Sequence, residues 1–366
     1  MVPVRATLSG ALLDDPARWL NRGAIGRLIC GIEDETVSTN AGENEQQHEP
    51  VLLKEVVEWL RAHDGGAFLD CTVGLGGHAR AILQASRASR VIGIDRDADA
   101  LALARERLSI FEHRVQLIHA NFDDVRSALD KAGITEVRGV LADLGVSSLQ
   151  LDQSDRGFSF VSEAPLDMRM DRSSDETAAE LVNQLSESEL ADLIFEYGEE
   201  RKARRIARAI ARARERDSIA TTKQLADIVV RALNIPGRWR IHPATRTFQA
   251  LRIAVNDELK ALERFIPAAI SALVRGGRLA IISFHSLEDR IVKHSYLRES
   301  GRCQCETRSM QSDMGRREVV DEIVCERCGA SNRIRILTRK PVRPTLEEIE
   351  RNSRSRSSLL RVCERL

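Results

Sequence analysis

Residues 67–78, AFLDCTVGLGGH, constrain this chain more than any other stretch: an apolar run ends in Asp70 and breaks into a loop holding Gly74, Gly76 and Gly77. Glycine has no Cβ, so such a loop turns sharply and lets a ligand approach its backbone. Residues 79–88 read as a helix, and strand, glycine loop, helix is the context in which these glycines mark a nucleotide site rather than a simple turn. The spacing Gly74-x-Gly76-x-x-Ala79 also fits a dinucleotide fingerprint. Taken alone, the segment leaves the cofactor open.

The next segments repeat the theme. Residues 90–95, RVIGID, form a second apolar run ending in Asp95, 19 residues beyond Gly76. That is close to the ~20-residue offset at which a carboxylate takes the ribose hydroxyls of a nucleoside. A helix follows over 97–108, a third strand over 115–122 (VQLIHANF) and a fourth over 137–145 (VRGVLADLG). Strands alternating with helices specify an α/β fold with a parallel, doubly wound sheet, whose ligands lie at the carboxyl ends of the strands. Asp70, Asp95, Phe122 and Asp143 all fall at such ends.

From 151 to 251 the strand pattern stops and helical segments take over, one opening with the capping-box spacing Ser186-x-x-Glu189. The sheet resumes with 276–284 (GGRLAIISF), followed by a helix to about 297, and two further strands fit 334–338 and 359–364 around a helix capped by Thr345 and Glu348. Seven strands are expected in all. The domain plan is then an N-terminal extension, 1–45, expected to be poorly ordered; a discontinuous α/β domain, 46–150 and 251–366; and a helical insertion, 151–250. A cysteine-containing loop, 301–332, lies within the second part of the α/β domain.

No apolar run approaches the length of a membrane span, and residues 1–45 lack the apolar core of a signal peptide, so a cytoplasmic protein without a membrane partner is expected. Charge is balanced, 55 basic against 55 acidic side chains, which gives no global pull toward nucleic acid, and DNA is not an expected partner. Locally, 201–216 (RKARRIARAIARARER) carries eight basic residues and one Glu, spread around an alanine-rich helical segment. Such a run is either a solvated face or a phosphate-binding one.

A nicotinamide dinucleotide would bring a second nucleotide-binding half after the fourth strand, where this chain turns helical instead. S-adenosylmethionine fits better. Asp95 would serve its ribose and Phe122 its adenine, while the acids Asp70 and Asp143 would attract the cationic sulfonium.

The chain resembles the RsmH (formerly MraW) family of S-adenosylmethionine-dependent methyltransferases, which modify N4 of a cytidine in small-subunit ribosomal RNA. The resemblance rests on HEPVLL from His48, DCTVGLGGH from Asp70, LADLGVSSLQLD from Leu141, RGFSF from Arg156, PLDMRMD from Pro165, YGEER from Tyr197, HPATRTFQALRIAVNDEL from His242, GGRLAIISFHSLEDRIVK from Gly276 and NSRSRSSLLRVCERL at the end. It implies a Rossmann-like class I methyltransferase domain with a seven-stranded doubly wound sheet and an inserted all-helical domain. It also implies that Gly76, Gly77 and His78 line the methionine end of the cofactor, Asp95 the ribose, Phe122 the adenine, and Asp143 and Gln150 the reacting side. The implied substrate is 16S rRNA, at the decoding region, within an assembled or nearly assembled 30S subunit.

Asp143 is the first candidate to accept hydrogen bonds from the reacting amine, and His285, directly after the fifth strand, is the second. His242, Arg246 and Glu288 are polar residues in the same motif-rich segments. The segment after Asp143 is LGVSS rather than the D/N/S-P-P-aromatic motif of many amino methyltransferases, so their mechanism does not transfer. Arg238, Trp239 and Arg240, with the arginine-rich helix, make the insertion the candidate RNA-recognition domain. Cys303, Cys305, Cys325 and Cys328 have the residue type of a closed structural zinc site, which the family does not require. The alternatives are methyl transfer to another RNA amine, a nicotinamide-dependent oxidoreductase, and an RNA-binding assembly factor that keeps only the fold.

Overall fold

The computed structural model describes residues 50–234, 241–303, 324–325 and 329–366. In chain order the elements are α1 (Leu53–Trp59), β1 (Gly66–Asp70), α2 (Gly77–Ala85), β2 (Ser89–Asp95), α3 (Ala98–Arg107), β3 (Val115–His119), α4 (Val125–Ala132) and β4 (Val137–Asp143). The helical stretch follows, with α5 (Ser148–Asp152), α6 (Ala178–Gln184), α7 (Glu187–Gly198), α8 (Ala203–Arg214), α9 (Thr222–Leu233) and α10 (Thr245–Val255). The chain then returns through α11 (Glu258–Ala272), β5 (Leu273–Ser283), α12 (Ser286–Glu299), β6 (Ile334–Ile336), α13 (Leu346–Arg351) and β7 (Leu359–Arg365).

The seven strands make one sheet in the order β3-β2-β1-β4-β5-β7-β6. The first five run parallel, as expected, because each pair is joined by a helical crossover. One strand departs from a wholly parallel sheet: β7 runs antiparallel to both β5 and β6. The expected third strand is also shorter. It ends at His119, and Phe122 stands in the loop beyond it.

Buried apolar side chains cover both faces of the sheet. Phe265, Ile266 and Ile270 of α11 pack with Ile92, Val140 and Ile281 on one face. Val56, Ile82 and Leu83 pack with Phe68, Leu141 and Ile282 on the other. The helical stretch has an apolar cluster of its own, from Phe158 through Ile206 and Val229 to Leu251. It is built on capping boxes at Thr177, Ser186 and Thr221, whose side chains each accept the N–H of the third helical residue. The expected boundary between the insertion and the returning α/β domain, at 250–251, falls inside α10.

Thr345 caps α13 by accepting the Glu348 N–H, but the Glu348 carboxylate does not close a reciprocal box. Its Oε1 accepts the N–H of Leu52 at 2.8 Å, which ties the C-terminal region to the start of α1. The expected extension at 1–45 lies outside the described residues.

Candidate functional site

A cavity of about 340 Å³ opens at the carboxyl ends of β1, β2 and β4, large enough for a small ligand. The glycine loop forms one wall. Gly74 and Gly76 have φ of 51° and 83°, a region in which side chains with a Cβ are strained. A Cβ on Gly77 would stand 2.2 Å from Pro50 Cγ, so glycine is what lets the Pro50–Val51 segment close over the start of α2. His78 secures that closure by pairing Nε2 with the Val51 carbonyl at 3.0 Å. Gly77 and His78 line the cavity; Gly76 does not, and its missing Cβ makes room for Leu108 instead.

Asp95 sits on the floor. Its two carboxylate oxygens accept the N–H groups of Gly74 at 2.8 Å and Asp97 at 2.9 Å, so the acid fixes the loop that would surround a nucleoside. Burial holds its pKa above the usual carboxylate value, against the pull of those two hydrogen bonds. Behind it, Asp97 caps α3 and takes the Gln150 Nε2–H at 2.8 Å and the Arg156 guanidinium at 2.9 Å. Gln150 lines the cavity, but its amide is committed on both sides, since Oε1 accepts the Ser147 N–H at 3.0 Å. Phe122 lines the cavity too and meets Phe265 edge-on at 5.4 Å.

Asp143 ends β4. Its N–H donates to Thr72 Oγ1 at 2.6 Å, and its Oδ2 lies 3.8 Å from His78 Nδ1. Oδ1 is buried with no hydrogen-bond partner among the described residues. Burial, then the neighbouring Asp70 and Glu288, raise its pKa well above the ordinary value. Asp70 itself is wholly buried beneath the cavity and does not line it. Burial pushes its pKa up to about 7. The expected attraction between Asp70 and a sulfonium is therefore weakened, since burial disfavours the charged form and the group lies outside the cavity lining.

The opposite wall is a charged cluster drawn from α10, α11 and the start of α12. Arg252 of α10 binds both carboxylate oxygens of Glu258, at 2.8 and 2.9 Å, and lies 3.4 Å from His285 Nε2. His285 in turn stands 3.2 Å from Glu288. Burial would lower the Arg252 pKa, yet Glu258 and Glu288 raise it overall; burial would raise that of Glu288, yet His285 and Arg252 lower it overall. Ligand atoms of Glu258, His285 and Glu288 lie within 4.8 Å of one another, a metal-like grouping, but the guanidinium already supplies the positive charge. Arg252, Glu258 and Glu288 line the cavity, whereas His285 serves as the N-cap of α12 behind it. Sequence reasoning passed over Arg252 and Glu258. The available signal was a cation within the mostly apolar run FQALRIAV.

His242 stacks on Phe160, with centroids 4.5 Å apart, and Arg246 pairs with Glu200 at 3.6 Å; neither lines the cavity. The arginines of α8 are not spread around the helix as expected. Ile206, Ala207 and Ile210 face the core, while Arg204, Arg205, Arg208 and Arg212 share the exposed side. Arg238, Trp239 and Arg240 lie outside the described residues, as do Cys305 and Cys328. Cys303 and Cys325 bring their sulfurs within 3.4 Å.

A doubly wound sheet with a glycine loop after β1, an acid ending β2 and an acid ending β4 around one cavity defines a nucleoside-cofactor-binding α/β protein. The chain belongs to the MraW methylase family, whose model matches residues 45–366. It is similar to proteins named ribosomal RNA small subunit methyltransferase H. In Nitratidesulfovibrio vulgaris the identity is 50% over 90% of this chain and 89% of the relative. In a Geobacter species it is 48% over 87% and 98%, and in Pelobacter propionicus 49% over 87% and 99%. Family membership replaces the nicotinamide-oxidoreductase alternative.

Proposed function

We propose that this chain transfers a methyl group from S-adenosylmethionine to the exocyclic N4 of a cytidine in the decoding region of small-subunit (16S) rRNA. The observation that carries this reading is that Gly77, His78, Asp95, Phe122, Asp143 and Gln150 line one cavity. The residues fit the cofactor: glycine at position 77 lets Pro50–Val51 close over the cavity wall, Asp95 offers a carboxylate for the ribose hydroxyls, and Phe122 an aromatic surface for the base. S-adenosylmethionine, when bound, supplies an electrophilic methyl group on a sulfonium.

An exocyclic cytosine amine is a weak nucleophile because its lone pair is delocalised into the ring. Catalysis then rests on alignment and on accepting hydrogen bonds from the amine as positive charge develops. We assign the acceptor role to Asp143, which borders the cavity and shares it with Glu288. His285 is assigned a positioning role: it fixes Glu288 and neighbours Arg252 without lining the cavity. Gln150 holds Asp97, and through it the loop after β2.

The helical insertion is assigned to RNA recognition, with the exposed arginines of α8 as phosphate contacts. The substrate in this reading is small-subunit rRNA within an assembled or nearly assembled 30S particle, in the cytoplasm; among the described residues no helix is long and apolar enough to cross a membrane. Methyl transfer from labelled S-adenosylmethionine to unmodified 30S particles and to naked 16S rRNA tests the assignment. Labelling of the particle supports it; labelling of neither overturns it.

The 3.4 Å approach of Cys303 and Cys325 favours a second, structural assignment, a zinc ion held by Cys303, Cys305, Cys325 and Cys328. One zinc per chain on metal analysis, lost in Cys303→Ser, is the expected result, and metal-free active protein would remove the assignment.

A further inference from the structure

Among the side chains that line the cavity, Arg354 is the one contributed by the C-terminal NSRSRSS turn. It is half-exposed and paired at 2.6 Å with Asp152 of α5, which is more exposed still, at 41% and 65%. The turn beneath it is rigid. Asn352 accepts the Arg354 N–H at 3.1 Å, while the Ser355 and Ser358 hydroxyls donate to the carbonyls of Asn352 and Ser355 at 2.8 and 2.7 Å. Arg351 and Arg356 flank it on the surface.

An exposed Arg–Asp pair contributes little stability, so a rigid turn is not needed to keep one. A fixed backbone does suit a guanidinium that exchanges one anion for another. Guanidinium binds carboxylate and phosphate with the same two-pronged geometry. We propose that Arg354 is the phosphate ligand for the target nucleotide: Asp152 holds the guanidinium at the mouth of the cavity, and an RNA phosphodiester displaces Asp152 when the base enters. This rests on the rRNA reading of the same cavity. The anion could instead be the carboxylate of the cofactor, and the two sources give different results below.

Two variants, Arg354→Gln and Asp152→Asn, are measured on unmodified 30S particles with cofactor affinity determined separately by calorimetry. Arg354→Gln is expected to raise KM for the particle about tenfold, to lower the slope of log affinity against log salt by about 0.7–0.9, the share of one phosphate contact, and to leave cofactor affinity within about twofold. Asp152→Asn removes the competing anion and is expected to leave KM unchanged or lower it. A pair that only staples the fold gives losses of the same sign in both variants, which overturns the proposal. So does a loss of cofactor affinity in Arg354→Gln with an unchanged KM. Wild-type protein is assayed alongside: no turnover there counts against the rRNA reading itself, whereas normal wild-type turnover with an unaffected Arg354→Gln counts against this inference alone.

Discussion

Arg156 and Asp97 form an ion pair at 2.9 Å in which both side chains are almost wholly buried, 1% and 3% exposed. The arginine also donates to the carbonyls of Arg169 and Met170, at 3.2 and 2.8 Å. One buried carboxylate thus clips the segment after α5 to the turn between β2 and α3, next to Asp95. Removing one partner of a buried pair leaves an uncompensated charge, at a cost of about 3–5 kcal/mol. Arg156→Met should therefore destabilise the protein by that order in denaturant unfolding, and the double variant with Asp97→Asn should recover part of the loss. Unchanged stability in Arg156→Met would remove this clip from the account.

Asp143 links cofactor binding to protons. Burial, Asp70 and Glu288 raise its pKa, so in the free protein the carboxyl keeps its proton to higher pH than usual. A cationic ligand beside it favours the ionised form. S-adenosylmethionine binding should release protons and strengthen as pH rises through that raised pKa. S-adenosylhomocysteine, an uncharged sulfide at the same position, should do so less. Calorimetry in two buffers of different ionisation enthalpy reads the difference. Asp143→Asn should lose most of the proton release and most of the methyl transfer while still binding cofactor; full turnover in that variant would end its assignment as acceptor.

Asp70 makes a prediction about stability alone. Its pKa rises from 3.8 to about 7 on folding, so between those values the folded state binds more protons than the unfolded one. Stability contributed by this group is therefore highest below pH ~4, falls as pH rises through the window, and levels off above about 7. The full penalty is roughly 4 kcal/mol at 1.36 kcal/mol per pKa unit. Asp70→Asn should be close to neutral at pH 4 and raise the melting temperature at pH 8. A variant that lowers stability equally at both pH values would contradict the assignment.

The exposed side of α8 predicts a salt effect. Reversing Arg204, Arg208 and Arg212 to Glu should weaken binding to the 30S particle by tenfold or more and reduce its salt slope by up to about three contacts' worth. Cofactor affinity should not move. If both particle affinity and slope are unchanged, the helix presents only a solvated face.

Much of the sheet could be read from the chain because its strands are short apolar runs that end in Asp70, Asp95 and Asp143, and an acid at the end of such a run is legible without geometry. The direction of β7 was not, since a short run such as LLRVCER carries no sign of which way it pairs. The helical insertion announced itself through capping residues, yet the arginine face of α8 emerged only once the core side was known. The site was half legible. Gly77, Asp95 and Asp143 carry local signals, whereas Arg252, Glu258 and Arg354 meet at the cavity from segments far apart in sequence. Arg156 entered the sequence reading only as the first residue of RGFSF, and its burial against Asp97 is what shows its role.

The account stands or falls on which atom receives the methyl group. Mass mapping of small-subunit rRNA from cells lacking this chain, and from the same cells with it restored, measures that directly. The account predicts that one cytidine in the decoding region loses 14 mass units on its base, roughly one methyl in place of a hydrogen, and regains them with the wild-type chain but not with Asp143→Asn. An rRNA methylation pattern identical in the presence and absence of the chain would contradict it.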